Sequence, residues 1–270
     1  MKTIGIIGTG VMGCAIAAGV RSVHPDTTMY LFDLSADSSG ALSARVGGTV
    51  TADPAELVRK VKAENGTVII AVKPQHLSGL AGSLEASAEA GRFISIAAGC
   101  SIESLGALFP GSSIIRFMPN VAARIGKSVV AVAALAGTDP DFMAEAVAIA
   151  ESIGKAVILD ESLISAFIGL SGSGIAYVFS FIHALALGGT ENGIPYPKSL
   201  SIALETVRGA VELLSSEEVN PAEMITRVTS AGGTTIKGIA ALEKGAFTHT
   251  VMDAVRCTTE KAKNMEKGTI

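Results

Sequence analysis

Three glycines, Gly8, Gly10 and Gly13, stand at the spacing G-x-G-x-x-G directly after the short apolar run Ile4-Gly5-Ile6-Ile7. Val11, Cys14, Ala15, Ala18 and Gly19 then recur on one face of a helix. Residues of these types in this order can hold a pyrophosphate. Gly8 permits the tight turn, Gly10 lets a phosphate approach the backbone, and Gly13 lets the helix pack closely on the strand. Backbone N–H groups at the helix start, together with its dipole, favour the negative charge. In a chain with 30 glycines the spacing alone says little, so the context decides. A second apolar run, Thr28 to Phe32, ends in Asp33. That acid lies about twenty residues past the turn, where a ribose-binding carboxylate is expected. Gly8, Thr9, Gly10, Val11, Met12, Gly13 and Asp33 are therefore assigned to a dinucleotide. A plain glycine turn joining one helix to one sheet is the competing reading, and it explains only the glycines.

A second glycine break, Ser230-Ala231-Gly232-Gly233-Thr234-Thr235-Ile236, interrupts a helical half of the chain. Two glycines free the backbone, two threonines can cap, and Ile236, Ile239, Ala240 and Leu242 open a helical face. This helix start suits a small anion such as a carboxylate, or it is a threonine-capped turn between helices. Ser171-Gly172-Ser173-Gly174 permits close approach of another helix or a ligand. Glu161 opens a long helical stretch, where an acid stabilises the dipole or meets a cationic substrate nitrogen. The four histidines have no metal-ligand spacing, and no metal is expected.

The elements that must position these residues alternate through the first part of the chain. Strands are predicted at Thr49 to Thr51, Val68 to Val72, Phe93 to Ala97, Ser113 to Phe117, Ser128 to Ala134 and Lys155 to Leu159. Helices are predicted from Asp53-Pro54, from Ser101 and over Asp139 to Ile153, while Leu34 to Gly40 is read as a polar loop. The alternation demands an α/β fold, a Rossmann-type, doubly wound, mostly parallel sheet. Ligands bind such sheets at the carboxyl ends of the strands. The glycine turn, Asp33, the stretch Ala71, Val72, Lys73 and Pro74, the stretch Ala97, Ala98 and Gly99, and Pro119-Asn120 all fall at that edge. After Asp160 no further strand is evident, and an all-helical C-terminal domain is expected. The predicted domains are 1–159 and 160–270.

Hydrophobic residues make up 49% and charged residues 17% of the 270, and the net charge is −4 with no basic tract. This argues against nucleic acid and anionic membranes as partners. Three scattered cysteines and no basic-then-apolar leader lead to the expectation of a reduced, cytoplasmic protein. The apolar stretch Ile175 to Leu187 is short for a bilayer and is read as a helix buried on most sides. A chain this apolar is expected to hide surface between subunits.

Taken together, GIIGTGVMG at the N-terminus, AVKPQ at 71–75, SIAAGCSIESL at 95–105, IIRFMPN at 114–120, GLSGSG at 169–174 and above all TSAGGTTIKGIAALEKG at 229–245 resemble the pyrroline-5-carboxylate reductases over nearly the whole chain. The resemblance implies hydride transfer from NADH or NADPH to 1-pyrroline-5-carboxylate, giving L-proline. It implies a dinucleotide touching the glycine turn, Ala71 to Pro74 and Ala97 to Gly99, with Asn120 at the same edge. It implies that Ser230, Gly232, Gly233, Thr234 and Thr235 hold the substrate carboxylate, with Thr235 at the ring nitrogen and Glu161 nearby. A homodimer with intertwined helical domains follows from it, and a larger ring of dimers as an extension. Ile175 replaces the family's usual proline and Val121-Ala122 its usual Thr-Pro, so altered helix geometry and a modified nicotinamide rim are expected.

Asp33 favours NADH, because a carboxylate pairs with ribose hydroxyls and repels a 2′-phosphate. The competing reading turns Asp33 away and gives the phosphate to Ser35, Ser38 and Ser39. Two other functions stand beside the reductase. A β-hydroxyacid dehydrogenase needs a catalytic lysine where this chain has Val178. A dinucleotide-responsive regulator has no use for the second glycine loop.

Overall fold

The computed structural model describes residues 2–217 and 219–268. The chain divides into two compact units. The first comprises residues through Gly172 and from Thr258 onward, and the second runs over Ser173–Cys257.

The first unit is built on an eight-stranded sheet in the order β3-β2-β1-β4-β5-β6-β7-β8. Its strands are β1 (Thr3–Ile7), β2 (Thr28–Phe32), β3 (Thr49–Val50), β4 (Thr67–Ile70), β5 (Arg92–Ser95), β6 (Ser113–Met118), β7 (Ser128–Ala134) and β8 (Gly154–Ile158). The helices are α1 (Val11–Val23), α2 (Ala36–Val46), α3 (Pro54–Ala63), α4 (Leu77–Leu84), α5 (Ile102–Leu108) and α6 (Pro140–Glu151), followed by the short α7 (Ile164–Phe167). Every pairing is parallel except β6 with β7. That reversal has a local cause. Only a short 3-10 segment, Val121–Ile125, joins the two strands, and a parallel return needs a crossover of a dozen or more residues.

Two apolar clusters cover the two faces of the sheet. Ile6, Ile16, Leu31, Leu42 and Phe142 belong to one, with α1, α2 and α6. Ile70, Leu57, Leu80, Phe93 and Leu105 belong to the other, with α3, α4 and α5. A strand sealed on both faces has no polar side to show, which is why β4 reads Thr-Val-Ile-Ile and is buried throughout. The predicted caps form: Asp53 accepts from Glu56 N–H at 2.7 Å, and Ser101 from Ser104 N–H at 3.1 Å.

Four expectations need correction. The polar stretch after Asp33 is the start of α2, capped by Ser35; its helical state depends on burial of Leu42 and Val46, which local composition does not show. The division between units falls at Gly172, not after residue 159, because Ile164 and Phe167 are buried with the sheet's second cluster. The stretch from 175 belongs to the helical run Glu161–Glu191, which is long and apolar enough to cross a membrane by length and composition alone. That stretch is also not buried on most sides, for Ala186 is the only buried residue of α8 (Gly174–Glu191).

The second unit holds all of α8, then α9 (Tyr196–Glu217), α10 (Pro221–Arg227), α11 (Thr234–Lys244) and the first half of α12 (Phe247–Glu266). The turn at Asn192-Gly193 carries Gly193 at φ +92°. Phe179, Phe181, Leu185 and Leu187 of α8 are exposed, as are Val211 and Leu213 of α9.

In α1 the tightest constraint is at Gly13, where a Cβ would lie 2.0 Å from the Gly8 carbonyl oxygen. Gly13→Ala must therefore push helix and turn apart, and thermal or urea unfolding should show a loss of about 1–3 kcal/mol, the usual cost of overpacking.

Candidate functional site: a dinucleotide crevice and a second helix N-terminus

The strand order reverses at β1, with β2 on one side and β4 on the other, and the crevice above such a point is where α/β sheets bind ligands. The glycine turn sits there. Gly8 has φ +99°, and a Cβ on it would lie 2.7 Å from the Ala71 carbonyl. Gly10 is the N-cap of α1, and no atom lies within 4 Å of where its Cβ would be. No side chain caps α1, so its first N–H groups are left for a ligand at an open backbone. Residues present thus fit a pyrophosphate on Gly8 to Gly13. The ladder runs on past the strands to make the rim: Ala71 N–H donates to Ile7 at 2.8 Å, and Ile96 N–H to Ile70 at 3.1 Å. Lys73 and Ala98 are exposed on that rim, and Gly99 turns it at φ +76°.

Asp33 faces the glycine turn. Its Oδ2 accepts from Thr9 N–H at 2.6 Å and from the Thr9 hydroxyl at 3.0 Å, and its Oδ1 from Ser35 N–H at 2.9 Å. Burial pushes this carboxyl up, but the donors on Ser35, Thr9 and Leu34 outweigh it and hold the pKa below the ordinary carboxylate value. Asp33 is therefore a fixed negative charge tying the end of β2 to the turn. Of the three serines in the competing reading, Ser35 accepts from Ser38 N–H at 3.3 Å as the cap of α2, and Ser39 is buried with its hydroxyl on backbone carbonyls. Asn120 is likewise engaged: its Oδ1 accepts from Ala122 N–H at 3.1 Å, and its Nδ2 donates to the Ser171 hydroxyl at 3.2 Å.

One oxygen of Glu161 is engaged within the first unit. Its Oε1 accepts from Ile102 N–H at 2.7 Å, at the start of α5, and from Arg116 Nη1 at 3.1 Å. Arg116 lies in β6 with 0% exposure, and its Nη2 donates to Glu266 Oε1 at 2.6 Å. The other Glu266 oxygen accepts from Ser165 Oγ at 3.1 Å. Sequence reasoning missed this cluster. Its one signal is an arginine inside the apolar run Ser-Ile-Ile-Arg-Phe-Met.

The second loop lies in the other compact unit. Gly232 has φ +70°, Gly233 N–H donates to Ser230 carbonyl at 3.1 Å, and α11 begins at Thr234. The N-cap is Gly233, not a threonine, and no side chain caps the helix. Thr234 and Thr235 occupy the first turn and are exposed. An uncapped, glycine-led helix start with adjacent hydroxyls can hold a carboxylate.

A glycine turn for a dinucleotide at the switch point of a doubly wound sheet, with an all-helical unit after it, defines a Rossmann-type NAD(P)-dependent oxidoreductase. Residues 3–99 match a family described as NADP oxidoreductase, coenzyme F420-dependent, and residues 161–265 match pyrroline-5-carboxylate reductase dimerisation. A pyrroline-5-carboxylate reductase of Synechocystis is 37% identical over 264 residues, covering 98% of each chain. The Streptococcus pyogenes enzyme has a crystal structure that is 31% identical and superposes with a TM-score of 0.86, over 97% of this chain and 98% of that one. A Plasmodium falciparum pyrroline carboxylate reductase with NADP bound is 25% identical, with a TM-score of 0.84 and 98% of each chain covered. The chain belongs to the pyrroline-5-carboxylate reductase family. Its helical half is a dimerisation domain, which accounts for the apolar residues α8 and α9 leave exposed in a single chain.

Two substitutions probe the first unit's charges. Because Asp33 is more acidic when folded, its contribution to stability is full above about pH 4 and is lost as pH falls through the lower folded value. The stability gap between wild type and Asp33→Asn, measured by urea unfolding, should therefore be widest near neutrality and close below pH 4. Arg116→Ala strands two carboxylates around a buried site and should cost about 3–5 kcal/mol in the same assay.

Proposed function

We propose that this protein reduces 1-pyrroline-5-carboxylate to L-proline with NADH or NADPH. The full-length likeness to reductases of that name carries the reading, and both helix N-termini support it. When bound, the reduced nicotinamide supplies the hydride that adds to the C=N carbon. The chain's own work is positional. Gly8 to Gly13 hold the pyrophosphate, and Ala71 to Pro74 and Ala97 to Gly99 flank the rest of the dinucleotide, with Asn120 shaping the rim from its place at the end of β6. Ser230 to Thr235 receive the substrate carboxylate on free N–H groups and hydroxyls. Thr235 hydrogen-bonds the ring nitrogen. Its hydroxyl does not ionise near neutral pH, so it orients the ring rather than acting as a strong acid.

The fixed charge of Asp33, at the end of β2, disfavours a second negative charge beside it. On this ground NADH is used at least as well as NADPH. The dimer is proposed to assemble further into a ring of dimers, and three unpaired cysteines suit a reducing cytoplasm.

Oxidation of NADH and NADPH by the purified protein tests this, with 1-pyrroline-5-carboxylate as substrate. Thr235→Ala should lower kcat/KM about 10- to 100-fold, the worth of one hydrogen bond to a charged group. Asp33→Ser should shift the ratio of the two cofactors toward NADPH. Absence of turnover with either cofactor in a folded, dinucleotide-binding protein would sink the assignment.

A further inference from the structure

The cluster around Arg116 lies beside the rim that the proposed function gives to the dinucleotide. Arg116 is fully buried, and its Nε has no hydrogen-bond partner. A buried guanidinium is costly unless its partners are well placed, so the groups around it are held in one arrangement. Those groups come from three separate parts of the first unit. Glu161 lies just beyond β8 and takes the first N–H of α5 on the same oxygen that meets Arg116. Ser165 lies in α7. Glu266 is the last residue of α12 and spans both, with one oxygen on Arg116 and the other on Ser165.

The residue before Glu266 extends this cluster to the rim. A Cβ on Gly99 would lie 3.4 Å from Met265 Cβ and 3.7 Å from its carbonyl carbon. The open side of Gly99, at φ +76°, therefore faces Met265 near the end of α12, a residue that is itself 40% exposed. Two residues later Ser101 caps α5, and the next N–H is the one Glu161 accepts. The Ala97 to Ser101 turn is thus held where it enters α5, through the chain from Glu266 through Arg116 to Glu161, and Met265 lies over the open side of Gly99. Cys100 within this turn feels both charges of the pair: burial raises its thiol pKa, Arg116 lowers it and Glu266 raises it.

We infer that the last turn of the C-terminal helix is part of the dinucleotide site, with Met265 against the rim turn and Glu266 a positioning residue acting through Arg116 and Glu161. The inference rests on the assignment of Ala97 to Gly99 to the cofactor. Met265 belongs to neither of the sheet's two apolar clusters, and Glu266 serves both to pair the buried Arg116 and to link it to Ser165. A rim turn held by a separate helix end is rigid before the dinucleotide arrives, and preorganisation of this kind appears as affinity.

The test is direct NADPH binding by fluorescence, without substrate, to wild type, Glu266→Gln, Glu266→Ala, Met265→Ala and Ser165→Ala, alongside Tm and steady-state constants. Glu266→Ala should weaken NADPH binding about tenfold, as expected for loss of a charge-assisted contact. Glu266→Gln should recover part of that loss, because it keeps the shape and one acceptor. The KM for 1-pyrroline-5-carboxylate should move less than the dinucleotide constant. Unchanged NADPH binding in folded Glu266→Ala and Met265→Ala, with only Tm lowered, would overturn the inference, as would an equal shift in both constants. If Glu266→Ala does not fold, Met265→Ala and Ser165→Ala decide, since both leave the ion pair in place. Binding is read without turnover, so failure of the reductase assignment would show only in the activity assay.

Discussion

A single buried charge organises the first unit beyond its sheet. Arg116 sits in β6 with no exposure, between an acid at the start of the 161–172 segment and an acid at the very end of α12. In the interior such a group is tolerated only where its partners are fixed, and each partner here also makes a second bond, to α5 or to α7. The triad carries one more negative than positive charge and includes residues 150 positions apart. The end of α12 belongs to this compact unit, where Glu266 gives the guanidinium its 2.6 Å partner.

The second constraint is the geometry of parallel strands. Once β1, β2, β4, β5 and β6 run the same way, their carboxyl ends share one edge, and every loop leaving them becomes a wall of one crevice. The glycines then divide the work according to what surrounds each. Gly8 allows a left-handed turn against Ala71, Gly13 allows contact between helix and turn, and Gly10 leaves open space. Asp33 reaches from the end of β2 to Thr9, just past the end of β1, and holds that turn in shape. One carboxylate therefore both braces the loop and sets its charge.

The helical unit follows a different logic. Its α8 and α9 carry large apolar residues on outward faces, and a family described by its dimerisation matches this part of the chain. Burial that the composition promised is completed only by a second copy, so a single chain leaves α8 almost uncovered.

The sequence by itself determined the alternation of strands and helices, the glycine turn, the acid after β2, the caps at Asp53 and Ser101, and the family. Each of these depends on neighbours within a few residues or on a motif that the chain carries in one piece. The tertiary structure alone decided what the long-range groups do. Asp33 and Asn120 turned out to hold backbone and side-chain partners, Glu161 to serve Arg116, and the polar stretch after Asp33 to be helical because Leu42 and Val46 find a core. The reversal of β7 and the return of Glu266 to β6 were equally invisible. The reason is common to all of them. Whether a polar side chain faces a ligand or a neighbour depends on groups that folding brings together from distant parts of the chain, and no local spacing encodes that meeting.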